Sequence, residues 1–383
     1  MTCLIGRAAE VERDARARHD MAGCDVAVRL ARLLVPKEER TAEWVKHASA
    51  YIVGGCGADT VSLLTVQRLE PLGWYNDELI NYNGAVATEL TRRTPLPPLR
   101  LGPDGATRMP GTQRIGRLHF MTTWLLPKYA PEGSQPLRAS TVPLRSSHAV
   151  ATVAPSISVS NAIKSTEFRA AGAKRQRTTR SHSAHYSPVR HYSEVNRWFK
   201  DPDDGSLWSA DYARSLDILV IPAHTDSNHW SLVALDIRNK TLHYYDSLWH
   251  QAPPRVLAVL NLWAEIVKAK LSENEAVDIR EWAVRNHKCP KQSNGGDCGV
   301  FTVEFMRAIA EGRPFNISPE LATHHRTRLA LEIEDSGVVR ARQDARISAD
   351  ARDAKLEVPQ RGAATTETPM AANAPANPVS NAA

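Results

Sequence analysis

The run Gln292-Ser293-Asn294-Gly295-Gly296-Asp297-Cys298-Gly299 leads into Val300-Phe301-Thr302-Val303-Glu304-Phe305-Met306, whose apolar spacing predicts a buried helix opening at the cysteine. A thiol at a helix N-terminus lies beside the positive end of the backbone dipole, which favours the nucleophilic thiolate. The neighbouring glycines let a substrate carbonyl approach the backbone closely. Gln292, six residues upstream, offers a side-chain amide that can donate to a developing oxyanion together with the Cys298 backbone N–H.

Nucleophilic chemistry at Cys298 also needs a base and a group to orient it. Leu216–Pro222 reads as an apolar strand, and Trp230–Ile237 and Thr241–Tyr245 read as a hairpin turning at Arg238, Asn239 and Lys240. With an even loop, paired positions sum to an odd number. His229 and Asp246 also sum to an odd number, so they share one sheet face within a few residues of directly opposite. Asp246 can then orient and polarise the imidazole. Taken singly, a buried cysteine is usually a small hydrophobe, and a histidine near a strand is usually a satisfied structural group. Together, Cys298, His229, Asp246 and Gln292 supply nucleophile, base, orienter and oxyanion donor.

The segments Gly73-Trp74-Tyr75-Asn76-Asp77-Glu78-Leu79-Ile80-Asn81, Asn228-His229-Trp230-Ser231-Leu232, Tyr245-Asp246-Ser247 and Gln292 through Gly299 resemble the ubiquitin-like-protein-specific (sentrin/SUMO-specific) cysteine proteases. The order His, Asp, Gln, Cys is that family's order, whereas papain-like enzymes place the cysteine first. The resemblance covers roughly residues 61–129 and 191–335. It implies an α+β, papain-like or adenovirus-protease-like fold with a central mixed sheet flanked by helices, and a thiol isopeptidase that cleaves after the C-terminal diglycine of a ubiquitin-like modifier, SUMO being the expected one. Both deconjugation and precursor maturation fit such an activity.

By the same resemblance, Cys298 attacks the glycine carbonyl, His229 activates the thiol and protonates the leaving amine, Asp246 holds His229, and Gln292 stabilises the oxyanion. Trp74 and Trp230 resemble the aromatic pair that clamps the diglycine tail in a slot too narrow for a Cβ. Their alternative role is core packing. Asp77 would pair with a basic residue on the modifier, or simply stabilise a helix start. Two departures from the family pattern bear on substrate preference: Tyr75 stands where the family usually has leucine, and Cys289-Pro290-Lys291 replaces a more apolar approach to Gln292.

The rest of the chain must position these residues. Asn76 through about Thr91 reads as a helix with acids in its first turn, and Arg117–Tyr129, with Leu118, Phe120, Trp124, Leu125 and Leu126, reads as a core segment. Residues 1–60, with helix-compatible pieces at Val26–Val35 and Glu43–Val53, read as a helical extension of open role. Residues 61–338 are the expected catalytic domain and 339–383 a low-complexity tail. Between 131 and 190, Ser, Ala, Thr, Pro and Arg dominate, too little apolar surface to offset the entropy of ordering, which predicts a disordered insert. Nine Lys and Arg there against Glu132 and Glu167 make it +7, while the 383-residue chain carries +6. The basic balance therefore belongs to the insert.

Five cysteines in so long a chain exclude a disulfide scaffold, and no apolar run reaches the roughly 18 residues of a spanning helix. A soluble intracellular protein follows as the expectation, nuclear in location, monomeric, with no membrane partner. Nucleic-acid contact could come only through Lys174, Arg175, Arg177 and Arg180, a run with no interleaved aromatics that also reads as an import signal or a solvated linker. His287, Cys289 and Cys298 have metal-ligand chemistry but the spacing of no common closed zinc site, so neither metal nor cofactor is expected. Two readings stand beside SUMO cleavage: an acyltransferase using the same Cys, His and Asp, as in some bacterial effectors, and a protease for another ubiquitin-like modifier. A secreted version acting on a host's conjugates has the same chemistry.

Overall fold

The structure, a computed structural model, describes residues 21–94, 97–109, 116–130, 188–225, 228–271, 275 and 277–337. The expected basic insert, apart from its last three residues, and the expected tail lie outside the described residues. So do positions 1–20.

The centre is a five-stranded mixed sheet of β5 (Arg117–Phe120), β6 (Leu216–Thr225), β7 (His229–Asp236), β8 (Thr241–Tyr245) and β9 (Ala283–His287), hydrogen-bonded in that order. β6, β7 and β8 form an antiparallel meander, and β5 and β9 join its two sides in parallel. Alternation along the strands sorts side chains to two faces. Ile218, Val220, Leu232, Ala234 and Tyr245 join one apolar cluster, and Leu219, Ile221, Val233, Leu235, Leu242 and Tyr244 join another.

Different helices cover the two faces. With α1 (Met21–Leu33), α2 (Ala42–Ala50), α3 (Asp77–Arg93), α4 (Pro254–Lys270), α5 (Cys298–Glu311) and α6 (322–337) as the longer helices, α3, α5 and α6 pack with the first cluster and α4 with the second. Thirteen of the fourteen residues of α5 are buried, so it is a core helix with little solvent face. This is the α+β class expected from the sequence, with helices on both sides of a mixed sheet.

The strand, hairpin and helix positions agree with the sequence reading to within a few residues. Asn76 caps α3 by accepting from the Leu79 N–H at 3.3 Å, and Arg92 and Arg93 sit in its last turn. Gly312, at φ 63°, ends α5 in the left-handed conformation that glycine adopts without a Cβ penalty. Two expectations change. Trp124 is 56 % exposed, because the short helix Leu125–Tyr129 buries Leu125, Leu126 and Tyr129 and leaves the residue before it outside. The division at residue 60 also runs through a hairpin: β1 (Ile52–Cys56) pairs antiparallel with β2 (Asp59–Ser62).

The segment before residue 60 is packed against the body. Leu33 lies in the first cluster, and Arg29 pairs with Glu334 and Asp335 of α6. A Cβ added to Gly54 would lie 1.9 Å from the Ile333 carbonyl oxygen, a distance no side chain tolerates. Gly54→Ala is expected to lower stability by about 2 kcal/mol through overpacking against backbone. Denaturant unfolding checks it, and an unchanged midpoint would show that β1 does not press on α6.

Candidate active site

Hairpin register brings the base and its orienter together. Leu232 pairs with Tyr245 and Asp236 with Thr241, so paired positions sum to an odd number and His229 and Asp246 lie just past the paired ladder with the same face parity. His229 Nε2 stands 2.9 Å from Asp246 Oδ1, with both side chains buried. The Leu248 N–H donates to the same Asp246 oxygen at 2.7 Å, and the Tyr244 hydroxyl donates to Oδ2 at 3.3 Å. A carboxylate held by that many donors has a fixed orientation and fixes the imidazole in turn.

Burial works against the charged form of His229, but the hydrogen bond it donates to Asp246, the neighbouring Cys298 side chain and the charges of both outweigh it and lift the pKa to about 9. The imidazolium is therefore the favoured form at neutral pH, and the group is coupled to the thiol as well as to the acid. Nε2 is occupied by Asp246, which leaves Nδ1 for the sulfur.

Cys298 is the first residue of α5 and is buried. The loop before it is held by a buried polar network. Asn294 Oδ1 accepts from the Gly296 N–H at 2.8 Å and the Asp297 N–H at 3.1 Å, and Asn294 Nδ2 donates to Asp297 Oδ2 at 2.6 Å. Arg326 of α6 donates to Asp297 Oδ1 at 2.6 Å, to the Gly296 carbonyl at 3.2 Å and to the Arg68 carbonyl at 3.0 Å, and its guanidinium lies 5.0 Å from the centre of the Tyr75 ring. Arg326 is 1 % exposed, and only such complete pairing makes a buried guanidinium tolerable.

Gln292 is buried across from this loop. Its backbone N–H donates to the Ser247 carbonyl at 3.0 Å, its Oε1 accepts from the Ser247 hydroxyl, and its Nε2 donates to the Asn294 carbonyl. One amide proton is engaged, so the second is available to an oxyanion. Ser247 thus sets which end of the amide faces the nucleophile loop.

Trp74 and Trp230 have different settings. Trp74 is 46 % exposed, and nearby Leu72 and Tyr75 touch the nucleophile segment. Gly296 packs so closely on the Leu72 carbonyl that an added Cβ would come within 2.6 Å, and a Cβ on Gly299 would lie 2.5 Å from that of Tyr75. Trp230 is only 4 % exposed, lies in the first apolar cluster and donates from Nε1 to the Tyr75 carbonyl at 2.8 Å. Its place is beneath the Trp74–Tyr75 segment, which it supports. Asp77 is half-buried in the first turn of α3, while the neighbouring Glu78 accepts from the Ser62 N–H and hydroxyl.

Several contributors carried no signal in the sequence. Arg326 lies far from every motif, and its role depends on α6 returning to the nucleophile loop. His250 places Nδ1 3.2 Å from Asp246 Oδ2 with its ring edge-on to His229 at 5.4 Å. His229, Asp246 and His250 are the one cluster with the chemistry of a metal site among the described residues. His287, Cys289 and Cys298 do not form such a cluster. Burial pushes the Cys289 thiol up to about 12, so it stays protonated and donates to the Asp246 carbonyl.

A sequence model described as the Ulp1 protease family, C-terminal catalytic domain, matches residues 163–341, a span that holds His229, Asp246, Gln292 and Cys298. Human sentrin-specific protease 2 is 30% identical over 145 residues, 37% of this chain and 23% of that protein. Human sentrin-specific protease 5 is 30% identical over 143 residues, 37% of this chain and 17% of that protein. The chain thus spans under a quarter of the length of these relatives.

Among solved structures, the yeast Ulp1 protease domain in complex with Smt3, the ortholog of SUMO, is similar over 79% of this chain and 96% of that one, with 15% identity and a TM-score of 0.44. The Chaetomium thermophilum Ulp1-like SUMO protease catalytic domain is similar over 80% and 92%, with 17% identity and a TM-score of 0.46. Trp74 and Asp77 lie outside the span matched by the family model.

The raised His229 pKa has a consequence for stability. Because the folded value lies above the unfolded value of about 6.5, its contribution is fully present below about pH 6.5 and is lost as pH rises through about 9. Urea unfolding from pH 6 to pH 10 is expected to show this loss in the wild type and not in His229→Ala. Parallel curves for the two proteins would show that Asp246 and Cys298 do not favour the imidazolium.

Proposed function

We propose that this chain is a cysteine isopeptidase that cleaves after the C-terminal diglycine of a ubiquitin-like modifier, with SUMO the expected one. The observation that carries the reading is the buried His229–Asp246 hydrogen bond, with the Cys298 side chain close enough to favour the imidazolium, within the span matched by the Ulp1 family model. The names of the relatives, sentrin-specific proteases, support the modifier class.

The geometry supports the following acyl-transfer sequence through the thiol. The Cys298 sulfur, its proton held by His229, attacks the glycine carbonyl carbon, and the carbonyl π electrons move to oxygen. The second Gln292 amide proton and the Cys298 N–H stabilise that oxyanion. As the carbonyl re-forms, the C–N bond breaks and the imidazolium gives its proton to the departing amine, leaving a thioester. Water attacks the thioester with His229 taking a proton, and the sulfur leaves as thiolate. Asp246 keeps Nε2 occupied throughout, so that Nδ1 alone faces the reacting atoms.

Trp74 provides the aromatic wall over the diglycine tail, with Trp230 holding its segment from below, and Asp77 is offered to a basic residue of the modifier. The same chemistry covers conjugate cleavage and precursor maturation, because both place an amide after the second glycine. A nuclear, intracellular setting belongs to this reading. Among the described residues no helix is long and apolar enough to cross a membrane.

Incubation with SUMO carrying a C-terminal electrophile, and with rival ubiquitin-like probes, tests the reading. A covalent adduct on Cys298, absent in Cys298→Ser, is expected with the SUMO probe. Labelling that survives the substitution, or no labelling by any modifier probe, overturns it; transfer of an acyl group to an added amine in preference to water would favour the acyltransferase. Gln292→Ala is expected to lower kcat about 100-fold with little change in KM, as loss of one oxyanion donor does. A change confined to KM would remove Gln292 from that role.

A further inference from the structure

Two loops meet beside the catalytic pair. One carries Trp249 and His250 after Asp246, and the other carries Lys288 and Lys291 before Gln292. They are joined by the Trp249 Nε1 bond to the Cys289 carbonyl at 2.8 Å, the Cys289 thiol bond to the Asp246 carbonyl at 3.4 Å and the Gln292 N–H bond to the Ser247 carbonyl.

Trp249 has φ 65°, a left-handed conformation strained for a non-glycine residue, yet its side chain remains 42 % exposed. The Lys291 ammonium lies 4.7 Å from the indole centre and the Lys288 ammonium 5.8 Å, both on exposed side chains. Among the described residues neither lysine is paired with a carboxylate, and residues 247–264 and 282–296 contain no Asp or Glu. An exposed indole flanked by two ammonium groups that have no carboxylate partner among the described residues is complementary to a carboxylate-bearing chain.

The position of this lip indicates which part of a substrate it meets. His250 packs edge-on against His229, and Lys291 directly precedes Gln292. His229 must pass a proton to the departing amine, so the chain bearing that amine passes this side of the site. We propose that Trp249, Lys288 and Lys291 form a subsite for acidic side chains flanking the modified lysine of the protein from which the modifier is removed. The inference rests on the isopeptidase reading above.

Three substrates test it at low ionic strength: the modifier amide-linked to a small dye, the modifier joined to the lysine of a peptide with glutamates on both sides, and the same conjugate with glutamines. The wild type is expected to favour the glutamate conjugate about fivefold in kcat/KM, through KM, with the preference fading in added salt. In Lys288→Gln/Lys291→Gln the ratio of the two conjugates is expected to fall to about one. Equal turnover of both conjugates by the wild type, or an undiminished preference in the double variant, would overturn the subsite. Failure of the wild type on the dye substrate would overturn the isopeptidase reading and the subsite with it, so the two failures are read apart.

Discussion

Everything at this site depends on one hydrogen bond, that between His229 Nε2 and Asp246 Oδ1. It decides which ring nitrogen is free, holds the ring plane and supplies much of the charge that keeps the imidazole protonated despite its burial. The bond is short because two strands are in register, and register is set by a β-meander whose residues are buried on both faces. A one-residue slip would turn His229 and Asp246 away from each other and every apolar side chain of β7 to the wrong layer, so the packing of the sheet and the alignment of the pair are one constraint.

The Cys298 thiol comes from another element and must be brought to the pair separately. Cys298 opens a core helix whose position is set by apolar burial, and the loop before it is fixed by Asn294, Asp297 and Arg326. Tyr75 closes against Gly299, lies under the Arg326 guanidinium and lends its carbonyl to Trp230. Its ring serves both the helix start and the buried cation.

The parts legible in the sequence were those governed by short-range rules. Strand alternation, the polar turn at residues 238–240 and the odd-sum pairing were enough to place His229 near Asp246, and glycines followed by an apolar helix marked Cys298. The helix start near Asn76, with its acids in the first turn, was legible for the same reason. Long-range closure was not: nothing local shows that Arg326 reaches Asp297, that Gly54 presses on Ile333, or that Arg29 pairs with Glu334. Trp124 read as core because its neighbours are apolar, and the end of a short helix left it exposed. Trp74 and Trp230 read alike in the sequence, yet one is exposed and the other is buried against the Tyr75 carbonyl.

The coupling of His229 to both Asp246 and Cys298 can be measured directly by following the ring nitrogen resonances of His229 in isotope-labelled protein as pH is raised. The imidazolium is predicted to persist to about pH 9 in the wild type and to titrate at lower pH in Cys298→Ala, where the contribution of the sulfur is gone. Titration near the ordinary value of about 6.5, unchanged by loss of the thiol, would contradict the site described.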